Sequence, residues 1–320
     1  MKAIGVIDGK AALHEAEMPT IRSNDILIRI KSTAANRADL MQKKGLYPPP
    51  PGASEILGLE CSGIVDAVGE KVKSRKVGEE VCALLAGGGY AEYVACPEFQ
   101  AIPKPTNLNW EEASSLPEVY ATCWLNLFIE GNLTSKNKVL FHAGASGIGT
   151  AGIQLCKVFN CESFVTAGSE EKIKFCKSLG ASEGAVRGDK MFNEVQNWVS
   201  QGFDIILDPV GANYFEDNLK ILGLEGRLII IGLMGGMESN INLGHLMMKR
   251  QRVIGSTIRA RSEELKKIVM QDLYVKIWPF IESNKIKPVI YETFNISETE
   301  KAHQIMEDNQ NIGKLVLTLD

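Results

Sequence analysis

The sequence predicts an α/β protein of two domains, one a β-barrel or sandwich and the other a doubly wound parallel sheet. Residues 1–105 consist of short, alternating strand-like runs broken by Gly and Pro, which favours a partly open barrel or a sandwich. Beyond them, strand-like and helix-like runs alternate, which predicts a parallel sheet covered by helices. A glycine-rich turn at 142–149 joins one such strand to one such helix. We place the first domain at 1–118 with 260–320 and the second at 119–259.

The first domain combines strands with one early helix and a stiff loop. Its clearest strands are predicted at 26–31, 63–68 and 90–95. Between the first two, a helix is predicted at 37–44. Tyr47 and the prolines at 48–51 follow, and a proline run must form an extended loop.

The second domain begins with apolar residues at helical spacing and continues as alternating elements. Helix-like runs at 110–116 and 120–130 are separated by Pro117. Strands are predicted at 138–141, 163–167, 185–186, 204–207, 227–231 and 253–257. Helices are predicted at 150–158, 170–179, 192–200, 214–222 and 244–249. A ligand site is expected at the carboxyl ends of such parallel strands.

The last 60 residues hold two predicted helices and a final strand. The helices lie around 263–281 and 298–309, and the strand at 313–319. This strand is too far along the chain to be the natural sixth strand of the parallel sheet. We therefore expect it to return to the first domain.

Composition limits the functional class. The 320 residues are 45% hydrophobic and 23% charged with a net charge of −4 and no block of like charge, which argues against a nucleic-acid footprint. No apolar run reaches the roughly 18 residues of a membrane span, and the N-terminus lacks the apolar core of a signal peptide. The seven cysteines are scattered without a C-x-x-C pair, which favours reduced thiols in a cytoplasmic protein.

The glycine-rich turn is a candidate dinucleotide site. It departs from the usual G-x-G-x-x-G spacing, yet it follows a strand and opens a helix, where backbone amides and a helix N-terminus face a phosphate. Ser146 either faces the cofactor or merely fills a tight turn. The turn residues expected to bind the cofactor are Gly144, Ala145, Ser146, Gly147, Ile148 and Gly149.

The end of the following strand predicts NADPH. An NAD enzyme places an acidic residue about 20 residues beyond the turn, on the ribose 2′-hydroxyl, whereas this chain has Gly168, Ser169 and, one helical turn later, Lys172. A hydroxyl and a lysine suit a 2′-phosphate. Arg187 ends the next strand and can stack on adenine or pair with phosphate. As alternatives, Ser169 is a helix cap and both cations are surface residues.

Several segments in combination resemble the zinc-independent, zeta-crystallin-like quinone oxidoreductases of the medium-chain dehydrogenase/reductase superfamily. The resemblance runs essentially end to end, through residues 35–42, 50–54, 58–60, 87–89, 142–149, 165–169, 232–236 and 311–314. It implies a GroES-like β-barrel catalytic domain, a Rossmann domain, NADPH as cofactor and a homodimer formed through Rossmann edge strands.

The resemblance also implies site residues. Asn36 and Tyr47 would flank the nicotinamide and substrate, and with Ser146 they form the candidate catalytic set. Further cofactor contacts would come from Thr122, Leu233, Met234, Ser256, Ile258 and Lys314. As alternatives, Asn36 is a turn or cap residue, Tyr47 a loop anchor, Lys314 a surface lysine, and the apolar residues are core.

The resemblance separates this chain from zinc-dependent relatives. Those relatives carry Gly-His-Glu where this chain has Gly58, Leu59 and Glu60, and leucine cannot ligate a metal. They also carry a four-cysteine lobe, whereas 85–98 holds only Cys96. No metal is therefore expected.

These observations predict an NADPH-dependent quinone oxidoreductase that passes electrons to a quinone or a similar flat electrophile. One alternative is an NADPH-dependent reductase of enones or alkenals, which shares the hydride geometry. Another is a non-catalytic protein that binds NADPH or RNA, although the charge balance weighs against RNA.

Overall fold

The computed structural model describes residues 1–319, which form two compact units. The first consists of residues 1–121 together with the chain from residue 258 onward, and the second of Thr122–Thr257. Both ends of the chain therefore contribute to the first unit. Within the described residues, no helix is both long and apolar enough to cross a bilayer.

The first stretch of the chain is rich in strands, as its alternating sequence predicts. In chain order its elements are β1 (Lys2–Ile7), β2 (Lys10–Glu15), β3 (Asp25–Ala34), α1 (Arg37–Lys43), β4 (Glu60–Val68), β5 (Glu80–Leu84), β6 (Tyr93–Pro97), β7 (Ala101–Pro103), α2 (Trp110–Ser114) and α3 (Pro117–Cys123). A π-helical segment, Trp124–Glu130, continues α3.

The second unit alternates strands and helices. Its elements are β8 (Lys138–Phe141), α4 (Gly147–Val158), β9 (Glu162–Ala167), α5 (Glu170–Leu179), β10 (Glu183–Val186), α6 (Met191–Val195), β11 (Phe203–Asp208), α7 (Ala212–Ile221), β12 (Leu222–Ile230), α8 (Leu243–Met248) and β13 (Arg252–Gly255). The strands pair in parallel in the order β10-β9-β8-β11-β12-β13. The doubly wound parallel sheet predicted from the sequence is therefore confirmed.

The returning chain completes the first unit. It contains α9 (Glu263–Asp272), a π-helical segment at Leu273–Ile277, α10 (Trp278–Glu282), β14 (Ile290–Asn295), α11 (Thr299–Glu307) and β15 (Lys314–Thr318). The expectation that the final strand returns to the first domain is confirmed, because β15 pairs antiparallel with β3, with Val316 opposite Ala34.

The long strand β3 organises the sheet of the first unit. It pairs antiparallel with β4, β6 and β15, within the order β14-β15-β3-β4-β5-β7. Ile26, Ile28 and Ile30 of β3 pack in one buried cluster with Val65 of β4 and Val81 of β5. The alternation of apolar residues that predicts β3 thus supplies the core of this unit.

The core of the second unit joins its four central strands to its helices. Leu140, Phe164, Ile206 and Leu228 come from β8, β9, β11 and β12, and they pack in one cluster with Leu219 of α7. These strands are buried by helices and therefore carry continuous apolar runs.

Several predicted elements differ in extent from the observed ones; the strand predicted at 227–231, for example, begins at Leu222. The helix predicted at 192–200 ends at Val195, because the Asn197 side chain donates to the Asn193 carbonyl at 2.7 Å and competes with the helical pattern. The strand predicted at 90–95 begins at Tyr93. The Tyr90 carbonyl instead accepts from Ile4, so the chain turns there to meet the first strand.

Candidate functional site

The glycine-rich turn lies at the carboxyl end of β8, in the middle of the parallel sheet. β8 pairs with β9 on one side and with β11 on the other. From β8 the chain proceeds outward to β9 and β10, whereas from β11 it proceeds outward to β12 and β13 on the other side, so the strand order reverses between β8 and β11. In open α/β sheets, this is the edge where ligands bind.

The turn presents a capped helix N-terminus. Ser146 precedes α4, and its Oγ accepts from the Gly149 amide at 3.1 Å. Gly147 and Ile148 are the first two residues of α4, and amides at these positions have no acceptor inside the helix. They and the positive end of the helix dipole suit a phosphate group.

Two glycines of the turn have no room for a side chain. A Cβ added to Gly144 would lie 2.5 Å from the Cβ of Val165 in β9, and one added to Gly149 would overlap the Gly144 carbonyl. The Gly144 amide also donates to the Thr166 carbonyl at 2.9 Å. These two glycines therefore let the turn pack tightly on β9 and on itself; its binding of the pyrophosphate of a nicotinamide cofactor stays a prediction.

The ends of β9 and β10 bring a hydroxyl and two cationic residues to the same edge. Ser169 is the N-cap of α5, and its Oγ accepts from the Lys172 amide at 3.3 Å. The Arg187 amide donates to the Ala167 carbonyl at 2.8 Å. A Cβ placed on Gly168 would lie 3.8 Å from Arg187 Cζ. The capping alternative for Ser169 thus holds, and its hydroxyl proton stays available for a ligand.

Four further residues predicted to contact the cofactor belong to the second unit, and they differ in exposure. Leu233 and Met234, in the loop after β12, are exposed, whereas Thr122 is buried. Ser256 follows β13 and is buried, and its Oγ has no hydrogen-bond partner within residues 1–319. A buried hydroxyl without a partner can hydrogen-bond to a ligand or to water. The cofactor role of these four residues stays a prediction.

In the first unit, Asn36 belongs to a buried polar cluster with Glu60 and Lys314. Lys314 Nζ lies 2.7 Å from Glu60 Oε1 and 2.6 Å from Asn36 Oδ1, and it donates to the Ala35 carbonyl at 2.9 Å. Asn36 Nδ2 donates to Glu60 Oε1 at 2.9 Å. All three ammonium protons are thus taken within the unit, so Lys314 holds Asn36 in one orientation. A direct cofactor contact by Lys314, which stays a prediction, would require one of these bonds to break.

A second buried group in this unit links Asp39, Tyr90 and His303. The Tyr90 hydroxyl lies 3.1 Å from Asp39 Oδ2 and 3.3 Å from His303 Nε2. Asp39 also accepts from the amides of Asn36 and Gly58. Burial raises the pKa of Asp39 to about 6, against the lowering effect of these donors, and burial lowers the pKa of His303 to about 4. Sequence spacing could not reveal this group, since Tyr90 and His303 are 213 residues apart.

Arg259 holds Tyr47 and was missed by the sequence reasoning. Its guanidinium carbon lies 5.3 Å from the centroid of the Tyr47 ring. Its nitrogens donate to the carbonyls of Tyr47 and Ala86 and to Gln42 Oε1, at 3.3, 2.7 and 2.7 Å. Tyr47 is half-buried, so one face of the proline-loop aromatic is fixed by a buried arginine. Ile258, a predicted cofactor contact, precedes Arg259 and is buried in the first unit.

The donor set beside β4 does not fit a zinc ion. Leu59 is buried and apolar, and the Glu60 carboxylate is engaged by Lys314, Asn36 and the Glu118 amide. Within residues 1–319, no three His, Cys, Asp or Glu side chains are grouped to hold a metal ion. The expectation of a zinc-free protein stays a prediction.

The raised pKa of Asp39 gives a test of its burial by pH. The folded state binds this proton more tightly than the unfolded state, so the group adds stability as pH falls from about 6 towards 3.8. We expect Asp39→Asn to lose this gain. Relative to the wild type, the unfolding free energy of Asp39→Asn falls by about 1.4 kcal/mol for each unit by which the pH is lowered across that window.

Urea unfolding at pH 4, 5, 6 and 7 measures this difference. Asp66→Asn is the matched control, because Asp66 lies in β4 with its side chain 46% exposed. A constant difference between Asp39→Asn and the wild type at all four pH values would contradict the assignment.

Comparison with protein-family models gives two matches. Residues 22–106 match the alcohol dehydrogenase GroES-like domain, and residues 147–273 match the zinc-binding dehydrogenase model. Together they cover more than half of the chain. The second match begins at Gly147, the first residue of α4, and runs through β9 to β13 as far as α9.

Similar proteins are found along nearly the whole chain. The synaptic vesicle membrane protein VAT-1 homolog of Danio rerio is 30% identical over 94% of this chain and 66% of its own length. The chain thus spans slightly less than two thirds of that relative. The quinone oxidoreductase of Mus musculus is 27% identical over 94% of this chain and 91% of its own.

The fold itself matches solved structures. A crystal structure described as an NAD-dependent alcohol dehydrogenase superposes with a TM-score of 0.86 at 29% identity and covers all of both chains. The architecture is thus a GroES-like domain with a Rossmann-type parallel sheet. On the two family matches, the sheet order and the glycine turn, the chain belongs to the medium-chain dehydrogenase/reductase superfamily, whose oxidoreductases use a nicotinamide cofactor.

Proposed function

We propose that this protein is an NADPH-dependent, zinc-independent reductase of quinones or similar flat electrophiles. The observation that carries the proposal is the chemistry at the end of β9. Ser169 and Lys172 stand where an acidic residue would bind the ribose 2′-hydroxyl of NADH, and Arg187 lies against Gly168. A hydroxyl and two cationic side chains suit the dianionic 2′-phosphate of NADPH.

The proposed cofactor residues fall into three groups by role. The glycine turn and the first amides of α4 would bind the pyrophosphate. The strand-end residues Ser169, Lys172 and Arg187 would bind the adenosine 2′-phosphate. When bound, the cofactor supplies the hydride. Thr122, Leu233, Met234, Ser256 and Ile258 remain proposed contacts to its nicotinamide half.

The acceptor is proposed from Tyr47 and from the polar cluster at Asn36. An aromatic ring held by a proline loop and by Arg259 offers a flat, rigid surface on which a quinone can stack. Reduction of a quinone gives a delocalised anion, which needs no Lewis acid, and this agrees with the leucine at position 59. The resemblance of the mouse quinone oxidoreductase over nearly the whole chain supports this acceptor class.

The first experiment is a fluorescence titration of the wild type and Lys172→Ala with NADPH and NADH in parallel. We expect the wild type to bind NADPH at least tenfold more tightly than NADH. The alanine variant should lose most of that preference, because a charge-assisted bond to phosphate is removed. Lys174→Ala, on the exposed face of the same helix, is the matched control. Equal binding of both cofactors by the wild type would contradict the phosphate site.

The second experiment measures NADPH oxidation with an ortho-quinone and with an enone, before and after treatment with a chelator. We expect the quinone to be the better acceptor and chelation to leave the rate unchanged. Elemental analysis of the same sample should show no stoichiometric zinc. A faster rate with the enone would favour the alkene reductase. Tight NADPH binding without turnover of either acceptor would favour a non-catalytic binding protein.

A homodimer is proposed from the outer edge of the parallel sheet. β13 ends the strand order, so its second edge is unpaired within residues 1–319. Directly before β13 along the chain, α8 exposes Leu243, Met247 and Met248, each by about two thirds or more. Exposed apolar side chains on the helix that precedes an open edge strand favour association with a second copy. The cytoplasmic location stays part of the proposal, supported by seven free cysteines.

The oligomeric state is tested by light scattering after size exclusion. We expect a dimer for the wild type and a monomer for the double variant Met247→Glu, Met248→Glu, because two charges would be buried in the interface. Met18→Glu, at a similarly exposed methionine of the first unit, is the control and should remain dimeric. A monomeric wild type at micromolar concentration would refute the dimer.

A further inference from the structure

A buried hydrogen-bonded chain crosses the second unit beneath the glycine turn. His142 Nδ1 lies 2.8 Å from Thr166 Oγ1, and His142 Nε2 lies 2.7 Å from Asn218 Oδ1. Asn218 Nδ2 donates to Asp208 Oδ2 at 3.1 Å. All four residues are at most 3% exposed. None of them belongs to the cofactor-binding residues assigned above.

The hydrogen-bond partners determine which group donates and which accepts at each step of the hydrogen-bonded chain. Asn218 donates to Asp208 through its nitrogen, so its oxygen faces His142 and accepts from Nε2–H. His142 Nδ1 therefore accepts from the Thr166 hydroxyl. Burial lowers the pKa of His142 to about 4, which agrees with a neutral ring of this single tautomer. Every donor in the chain points towards Asp208.

The hydrogen-bonded chain of side chains extends the pairing of β8 and β9 beyond their backbone ladder. The last ladder pair is Phe141 opposite Val165. The next residues, His142 and Thr166, are joined by their side chains, and the Thr166 carbonyl accepts from the Gly144 amide. Thr166 thus holds the start of the glycine turn by two bonds, and it lies three residues before Ser169.

At its other end, the hydrogen-bonded chain anchors the loop that follows β11, and this loop in turn binds the loop that follows β12. Asp208 accepts from the amides of Val210 and Gly211, at 2.7 and 3.2 Å. The carbonyls of Pro209 and Val210 accept from the amides of Met234 and Gly235. The ends of β9, β8 and β11 are therefore connected through one set of polar side chains, and backbone hydrogen bonds join the loop after β12 to them.

Aromatic rings lock the histidine in place. Tyr214 and Phe192 pack edge-on against His142, with ring centroids 4.8 and 5.9 Å away. His142 has both nitrogens engaged and no exposed edge, so it cannot exchange protons readily with a ligand. Its chemistry is that of a positioning residue.

We infer that the chain of Thr166, His142, Asn218 and Asp208 sets the spacing between the glycine turn and the Ser169–Lys172 phosphate site, and thereby the selectivity for NADPH over NADH. The inference rests on the proposed function. NADPH must reach both sites at once, whereas NADH engages only the turn strongly. A change in their spacing therefore weakens NADPH more than NADH.

The test is the ratio of NADH to NADPH dissociation constants, measured by fluorescence titration, with melting temperature recorded for each variant. Thr166→Val keeps shape and backbone bonds and removes only the hydroxyl. Ser163→Ala is the matched control, since Ser163 lies buried in the same strand with no partner for its hydroxyl within residues 1–319. His142→Gln can accept and donate as the histidine does, whereas His142→Leu cannot.

We expect Thr166→Val and His142→Leu to reduce the ratio at least about fivefold, the effect of one net hydrogen bond. Ser163→Ala and His142→Gln should keep it. If the wild type prefers NADPH and both disrupted variants keep the full ratio, the inference is overturned and the proposed cofactor stands. If the wild type shows no preference, both are overturned. If Thr166→Val does not fold, the comparison of His142→Gln with His142→Leu decides.

Discussion

The parallel pairing of β8 with β9 on one side and β11 on the other is the constraint on which the candidate site depends. Parallel strands that share a direction must also end at one edge. That edge therefore receives the glycine turn after β8, Ser169 after β9 and Asp208 at the end of β11. Distant parts of the sequence meet there without any long-range motif, because the sheet order alone brings them together.

In the first unit, charged side chains are buried among hydrogen-bond partners from the same unit. A glutamate and a lysine lie together beneath Asn36, where each would be costly alone. Asp39 is buried nearby with three donors around it. The backbone amides and the tyrosine hydroxyl supply the neutralising contacts that a cation would otherwise provide. The polar interior of this unit is thus organised by hydrogen bonds among its own side chains.

Sequence patterns predicted the features that depend on near neighbours. The glycine turn, the cap at Ser169 and the alternation of strands and helices in the second unit follow from periodicity and from residues close along the chain. Arg259 beneath Tyr47 and Tyr90 beside His303 were not predictable, because each pair is separated by more than 200 residues. The end of α6 was not predicted, because it depends on a hydrogen bond from the Asn197 side chain to the Asn193 carbonyl. The spacing of apolar residues does not indicate such a bond.

The construction of the first unit from both ends of the chain imposes an order on folding during synthesis. Its central strand β3 emerges early but remains without its neighbour β15 until residue 318 has been made. The second unit, by contrast, is continuous in sequence and can fold as soon as β13 is complete. For the time needed to translate about 60 further residues, the β3 edge at residues 32–34 lacks its partner and is exposed to misassembly, although residues 25–29 can already pair with β6. The finished middle domain then shortens the loop that the returning strand must close.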